Sequence, residues 1–220
     1  MSRERATRTC FAGDARSIAR WLLGQRLVRV LPGGGERLAG IIVETEAYLG
    51  PRDRASHTWN GRRTARNEVM HGGAGHAYVY FTYGLHHCLN VVTGDAGAVL
   101  IRALEATEGA ERMRELRNGQ RALASGPARL TQAMAIDLAL NGEDLEQSDR
   151  LWIEITRPES VRVRVRTTAR VGVEYAGAWA ARRLRYFIAG HPEVSPGKPS
   201  APKPNRKDGK GTGRRGTTGA

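Results

Sequence analysis

The chain has 220 residues, of which 40% are hydrophobic and 26% charged, and its formal net charge is +13. This size and apolar content allow one globular domain with a buried core. No run of the sequence approaches the roughly 20 apolar residues that a membrane span requires, so we expect a soluble protein. The excess of positive charge favours a polyanionic partner, most simply nucleic acid, with plain solubility as the alternative reason for it.

Two further features bear on the cellular compartment. The basic N-terminus is not followed by the apolar core of a signal peptide. The two cysteines, Cys10 and Cys88, lie far apart and fit a reducing compartment better than a disulfide framework. We therefore expect a cytoplasmic protein, associated with the nucleoid if the source is bacterial.

The segment 195–220 differs in composition from the rest of the chain. It contains every lysine of the protein and no aromatic residue. Such a segment cannot bury enough surface to offset its ordering entropy. We therefore predict a globular domain over 1–194 and a disordered basic tail over 195–220. The body remains basic without this tail, although it has no lysine.

Periodicity and turn signals predict the elements in chain order. A helix over 14–23 begins at Asp14 as its N-cap and ends before Gly24. The strands 26–31 and 37–48 flank a Pro-Gly-Gly-Gly sequence that is typical of a hairpin. The later elements are strands 77–83, 88–92 and 98–103, helices 105–116 and 127–138, and strands 151–156, 161–166 and 184–189. Because consecutive strands are joined by tight turns, we predict an α+β fold with an antiparallel sheet and peripheral helices.

The strand 37–48 changes from apolar to acidic before its end. Its two-residue period places Ile42, Glu44, Glu46 and Tyr48 on one face. Carboxylates followed by an aromatic ring can line a pocket. The alternative is an edge strand that runs into solvent, with its acidic side chains paired to arginines.

A tyrosine-rich segment follows at 78–84. Tyr80 and Tyr83 are three residues apart, so on a strand they face opposite ways. One ring can stack on a base inside a cavity while the other projects from the turn at Gly84. Packing within the core is the alternative for such a strand. Farther along, Asn90 interrupts an apolar run, and a buried amide needs a hydrogen-bond partner.

The six histidines raise the question of a metal site. His71, His76, His86, His87 and Cys88 can be combined on paper into a zinc site. However, adjacent histidines of a strand face opposite ways, and the sequence contains no CxxC or HExxH spacing. We therefore predict no metal and no other cofactor.

Eight motifs of the body follow one another in a specific order. They are VETEAYLGP (43–51), ASH (55–57), RTARN (63–67), YVYFTYG (78–84), CLN (88–90), LIRALE (100–105), SGPARL (125–130) and ARVGV (169–173). With Trp179 after them, these motifs resemble the alkyladenine (3-methyladenine) DNA glycosylase family. The resemblance extends from about residue 15 to about residue 190.

The resemblance implies a single domain with a curved antiparallel sheet or open barrel and a basic surface that faces double-stranded DNA. It implies a monomer that flips damaged purines out of the duplex and hydrolyses their glycosidic bonds. The substrates implied are 3-methyladenine, 7-methylguanine, hypoxanthine and ethenoadenine. A catalytically silent nucleic-acid-binding protein on the same fold is the alternative, and a metal-dependent nuclease is a third hypothesis.

The resemblance also implies roles for two residues that take part in the reaction and for one that enters the DNA duplex. By position, Glu46 matches the general base that activates water, and Arg102 matches a residue near that water and the DNA backbone. Tyr83 matches the side chain that enters the minor groove and fills the gap left by the flipped nucleotide.

Four more positions match residues that bind the flipped base. Tyr48, His57 and Tyr80 match the side chains that sandwich and contact it. Asn90 matches a pocket amide that rejects the exocyclic amine of guanine.

The absence of lysine from the body bears on the reaction type. Glycosylases that also cut the strand use an amine that forms a Schiff base with the sugar. In this chain only the segment 195–220 and the N-terminus carry an amine. We therefore expect a monofunctional enzyme that leaves the abasic site intact.

Overall fold

The computed structural model of the chain describes residues 4–33, 35–82, 84, 86–156 and 164–202. Its helices are α1 (Arg8–Phe11), α2 (Ala15–Leu22), α3 (Ala110–Leu116) and α4 (Pro127–Ala133). Its strands are β1 (Arg26–Val30), β2 (Arg37–Tyr48), β3 (Ala77–Thr82), β4 (His86–Gly94), β5 (Gly97–Glu108), β6 (Leu151–Glu154), β7 (Val165–Thr168) and β8 (Arg185–Ile188).

The eight strands form one antiparallel sheet. Its main path runs β3-β4-β5-β2-β1-β6, and β8 pairs with both β2 and β7. Among the described strands β3 and β6 are not paired with each other, so the sheet is not closed. The predicted α+β fold with an antiparallel sheet is confirmed.

Strand β2 lies at the centre of this sheet. Its first half pairs with β1 and its second half with β8, while β5 runs along its other side. The register with β5 shifts between Ile42 and Thr45, which marks a bulge where β2 passes from one partner to the other. Glu44 and Glu46 are both 0% exposed. The alternative of an edge strand running into solvent is therefore wrong, because strands from elsewhere in the chain cover both edges of β2.

Helix α2 closes one side of the main hydrophobic core. Asp14 caps it by accepting a hydrogen bond from the backbone N–H of Arg16 (2.8 Å), as the sequence predicts. The helix buries Ile18, Ala19 and Leu22, and burial of each large aliphatic side chain contributes about 1.5–3 kcal/mol. No helix in the described part of the chain has the length and apolar character needed to cross a membrane.

The predicted helix over 105–116 is wrong at its start. Strand β5 continues to Glu108, and its last residues pair with Ala39, Gly40 and Ile41 of β2. The strand ends at Gly109, whose φ of +71° favours glycine, and α3 begins only at Ala110. Cross-strand pairing therefore overrides the helix propensity of this segment. The predicted helix over 127–138 is likewise shorter, because α4 ends at Ala133.

The first part of the predicted tail lies against the body. Ser195 and Ser200 are buried, at 6% and 5% exposure. The domain boundary between 194 and 195 stays a prediction, and residues 203–220 lie outside the described residues. The first three residues of the predicted strand 161–166 also lie outside them.

Candidate active site

A cavity of about 370 Å³ lies beside the end of β2. Small-molecule sites typically measure about 300–1,000 Å³, so its size is that of a ligand pocket. Five residues that the sequence singled out line it together: Tyr48, His57, Tyr80, Asn90 and Arg102. The structure thus brings together side chains from four strands and one loop. Two further site residues were predicted. Glu46 lies behind the cavity wall, and Tyr83 lies outside the residues that the structure describes.

Aromatic rings form one wall of the cavity. Tyr78 and Tyr80 alternate with Val79 on β3 and therefore share a face, with ring centroids 5.2 Å apart. The ring of His57 lies 4.7 Å from Tyr80 in an edge-to-face arrangement. The guanidinium of Arg66 lies 4.9 Å from the Tyr80 ring centroid, where the π-system of the ring attracts a cation. The wall is preformed, with its rings fixed by mutual packing.

Burial keeps the polar groups of this wall uncharged. Burial, with smaller contributions from Arg66 and Arg62, lowers the pKa of His57 to about 4. Burial also raises the pKa of Tyr78 to about 12. The two groups are joined by a hydrogen bond of 2.8 Å between His57 Nδ1 and Tyr78 Oη. At neutral pH the cavity therefore presents a neutral imidazole.

Asn90 lies in the floor of the cavity with its amide held in place. It is 3% exposed, and its Nδ2 donates to the backbone oxygen of Tyr78 across the β3–β4 pair (3.0 Å). The partner that the sequence required for this amide is thus a backbone carbonyl. This bond occupies one donor of the amide and sets its orientation.

Glu46 lies directly behind the cavity wall. Its Oε1 accepts from the backbone N–H of Val171 (2.8 Å) and pairs with Nη1 of Arg102 (3.3 Å). Its Oε2 accepts from the hydroxyl of Tyr48 (2.9 Å). All three donors line the cavity. Because a carboxylate has about four acceptor positions, these two hydrogen bonds and the ion pair leave it able to accept from a water molecule.

Glu46 belongs to a buried group of four charges, the site cluster (Glu44, Glu46, Arg102 and Arg185). Glu44 Oε1 accepts from Nε of Arg102 and from Nε of Arg185, both at 2.7 Å. The two carboxylates and the two guanidinium groups balance in charge. Burial acts to lower the pKa of Arg102, but Glu46 and Glu44 outweigh it and hold that pKa above its usual value. Arg102 is therefore a fixed cation beside Glu46.

Known proteins resemble the chain over most of its length. The family model for methylpurine-DNA glycosylase matches residues 9–192. The chain belongs to the methylpurine-DNA glycosylase family. It is 46% identical over 197 residues to the DNA-3-methyladenine glycosylase of Homo sapiens, and 42% identical over 199 residues to a putative 3-methyladenine DNA glycosylase of Bacillus cereus.

The two relatives differ in length. Each comparison covers 84% of this chain. It spans 66% of the human protein and 96% of the bacterial one. A mouse relative named DNA-3-methyladenine glycosylase is 47% identical over 198 residues and is matched over 59% of its length. The chain thus spans 59–66% of the length of these two mammalian proteins and nearly all of the bacterial one.

In this member of the methylpurine-DNA glycosylase family, sequence reasoning missed part of the buried charge. Arg185 reaches Glu44 across 141 residues, and no sequence signal marks it. Arg170 forms two hydrogen bonds with Asp53 (2.6 and 2.9 Å), and both side chains are fully buried. Its guanidinium also lies 4.7 Å from the ring centroid of Tyr48. Position within the ARVGV motif was the only signal that could have found Arg170.

A second cavity adjoins the first and carries positive charge. The two cavities share Ser56, His57 and Tyr175. Arg54, Arg62 and Arg66 line the second one and are exposed. This family member therefore places three guanidinium groups next to the aromatic cavity.

The histidines do not assemble into a metal site in the part of the chain that the structure describes. No group of three or more His, Cys, Asp or Glu side chains there has the arrangement of a metal centre. Both cysteines are free, and Cys88 is buried in the wall of the aromatic cavity.

Proposed function

We propose that this protein is a DNA glycosylase that removes alkylated or deaminated purines from double-stranded DNA. The substrates proposed are 3-methyladenine, 7-methylguanine, hypoxanthine and ethenoadenine. One observation carries the proposal: a buried carboxylate, Glu46, lies behind the wall of an aromatic cavity, with acceptor capacity left for a water molecule. The names of the relatives support the same reaction class.

Base flipping is the step that brings a purine to this carboxylate. A stacked base cannot be reached by a buried general base, and extrusion costs a few kcal/mol, least at damaged pairs. Arg54, Arg62 and Arg66 lie where phosphates of the strand can approach the cavity mouth. We propose that Tyr83 fills the gap in the duplex, as inserted side chains do in other proteins that unstack DNA.

The reaction proposed is hydrolysis of the bond between the purine nitrogen and C1′ of deoxyribose. The bonding pair leaves with the purine, a water oxygen bonds to C1′, and Glu46 accepts the proton that the water loses. Arg102 stabilises the negative charge of Glu46 from 3.3 Å before that transfer. For an alkylated, cationic purine the departing base is neutral, so no proton donor is required.

The cavity wall supplies a preference for damaged bases. Tyr48 and Tyr80 offer aromatic faces to which a cationic purine is attracted more strongly than a neutral one. His57 is neutral above a pH of about 4 and adds no charge that repels such a purine. We propose that Asn90, held by the Tyr78 carbonyl, rejects the exocyclic amine of guanine.

The protein is proposed to act as a monomer and to leave the strand uncut. The aromatic cavity has no lysine in its lining, so no side-chain amine there is placed to form a Schiff base with the sugar. The product is then an abasic site in an intact strand. Strand breaks that persist through purification in the presence of wild-type protein contradict this part of the proposal.

The test is release of the base from methylated DNA and from a duplex containing hypoxanthine. We expect Glu46→Gln to slow release by ~10²- to 10⁴-fold, the usual contribution of a general base. Binding of the variant to the same duplex should persist, because the substitution retains the shape of the side chain.

Glu154→Gln is the matched control for this test. Glu154 is also a buried glutamate paired with arginine, but none of its partners lines the cavity. We expect the folded form of this variant, with its folded fraction checked by circular dichroism, to release the base at the wild-type rate. If folded wild-type protein releases neither base while it still binds DNA, the silent binding protein replaces the glycosylase as the proposed function.

A further inference from the structure

The chain returns over the site cluster after β8. We call residues 195–200 the C-terminal strap. The backbone N–H of Ser195 donates to Glu44 Oε2 (2.6 Å), and its hydroxyl donates to Glu44 Oε1 (2.9 Å). Ser195 is 6% exposed and Glu44 is completely buried. One residue of the strap therefore binds both oxygens of a carboxylate that the proposed reaction does not use.

The strap also contacts both guanidinium groups of the cluster. Nη2 of Arg102 donates to the Ser195 hydroxyl (3.3 Å). Arg185 donates to the backbone oxygens of Ser195 (3.0 Å) and Gly197 (2.8 Å). Two arginines that meet at Glu44 are thus both tied to the same short segment.

The contacts of Arg102 determine where its third nitrogen lies. A guanidinium is planar and presents its N–H groups in a fixed fork. Glu44 holds Nε at 2.7 Å and Ser195 holds Nη2 at 3.3 Å. With these two nitrogens held, Nη1 faces Glu46 Oε1 at 3.3 Å. The orientation of the cation beside the general base therefore depends on Glu44 and Ser195.

We propose that Ser195 and Glu44 are positioning residues that orient Arg102 towards Glu46. This inference rests on the proposed glycosylase function, since it concerns the base of that reaction. Neither residue is among those that line the cavity, so both act through Arg102.

The packing of the strap agrees with this role. A Cβ added to Gly197 would lie 3.2 Å from Nη2 of Arg102 and 3.0 Å from the side chain of Val171. The strap is therefore in close contact both with Arg102 and with the residue whose N–H donates to Glu46. At its far end, the Ser200 N–H donates to the backbone oxygen of Arg170 (2.7 Å). The strap thus reaches the two donors that hold Oε1 of Glu46.

The test compares base release by the wild-type protein and by Ser195→Ala under single-turnover conditions. We expect release to slow by about tenfold, the effect of losing one hydrogen bond to a charged group. Affinity for DNA that contains an uncleavable abasic-site analogue should stay within about twofold, because the residue does not line the cavity. Ser195→Thr retains the hydroxyl and should restore the rate.

Ser148→Ala is the matched control. Ser148 is buried as well, and its hydroxyl also donates to a glutamate, Glu143, but it lies before β6 and outside the cavity lining. A loss of rate caused only by a weakened fold should occur in both alanine variants. We expect base release to slow in Ser195→Ala and to stay at the wild-type rate in Ser148→Ala.

A second measurement does not depend on activity. Hydrogen exchange at Arg102 Nε, followed by NMR, should be slow in the wild type and about tenfold faster in Ser195→Ala. The reason is that the Ser195 hydroxyl bonds both Arg102 and Glu44, and its removal lets the bond between those two side chains open more often. Equal exchange in the two proteins overturns the inference, as does an unchanged release rate or a failure of Ser195→Thr to restore it. Absence of base release by the wild type instead overturns the proposed function.

Discussion

The sheet carries a second group of paired charges, which is only partly buried and can be compared with the site cluster. The edge cluster (Arg26, Arg37, Glu108 and Glu154) lies where β1, β2, β5 and β6 meet. Arg26 and Glu154 have side chains only 5% and 6% exposed and pair at 2.8 Å. Arg37 also pairs with Glu154. In charge balance and arginine pairing the two clusters are alike, but Arg37 and Glu108 of the edge cluster are 36% and 39% exposed, whereas the whole site cluster is buried.

The clusters differ in what surrounds them. The carboxylate of Glu154 accepts from Arg26, Arg37 and the ring nitrogen of Trp152. The guanidinium of Arg5 covers the same Trp152 ring at 4.0 Å from its centroid. None of these donors lines either cavity, whereas all three donors of Glu46 line the aromatic one. A buried, paired carboxylate therefore does not by itself indicate a reactive site, and what distinguishes Glu46 from Glu154 is its position behind a cavity wall.

The largest expected effect on stability lies in the edge cluster. Glu154→Gln leaves the buried Arg26 without its closest buried partner, and breaking such a pair costs about 3–5 kcal/mol. Urea unfolding at constant pH measures the loss. If this variant also loses base release while still folded, the edge cluster contributes to the reaction and the distinction drawn between the two clusters is wrong.

The free energy of unfolding should depend on pH differently at the aromatic cavity and at the edge cluster. The pKa of His57 in the folded protein is about 4, against 6.5 for the free side chain. Above pH 6.5 the imidazole is neutral in both states and has no effect. As pH falls from 6.5 to 4, only the unfolded state takes up the proton, so the free energy of unfolding falls by about 2–3 kcal/mol.

Unfolding titrations of wild type and His57→Gln check this expectation. The substitution should remove the decrease in the free energy of unfolding between pH 6.5 and 4. Burial acts to raise the pKa of Glu154, but Arg26 and Arg37 outweigh it and lower that pKa from its usual 4.5. The edge cluster therefore loses its contribution only as pH falls below about 4.5. Identical profiles for the two proteins above pH 4.5 would contradict the role given to His57.

The smallest expected effect concerns binding to DNA. Arg62 lies exposed beside the aromatic cavity, whereas Arg150 lies near β6 and pairs with Glu143. Each phosphate contact contributes about −0.9 to the slope of log affinity against log salt concentration. Arg62→Gln should reduce the slope by about that amount, and Arg150→Gln should leave it unchanged. Titrations at several salt concentrations measure both slopes, and equal slopes in the two variants would argue against a DNA surface at the cavity mouth.

Local pattern was sufficient for several parts of the molecule. The N-cap at Asp14 and the hairpin of β1 and β2 follow from interactions between near neighbours in the chain. The end of β5 did not follow, because Glu105–Glu108 has helix-forming composition and becomes strand only by pairing with β2. Propensity is a weak signal where a distant strand supplies the hydrogen bonds.

The sequence by itself determined the residue types of the candidate site, since Tyr48, His57, Tyr80, Asn90 and Arg102 stand in motifs that could be recognised, and all five line one cavity. Only the tertiary structure decided that Glu44 and Glu46 are buried at the centre of the sheet and not on its edge. It also decided that Arg185 and Ser195, more than 140 residues away, hold Glu44. The physical reason is that a buried charge requires partners in space, and the chain supplies them from whatever segment the fold brings there.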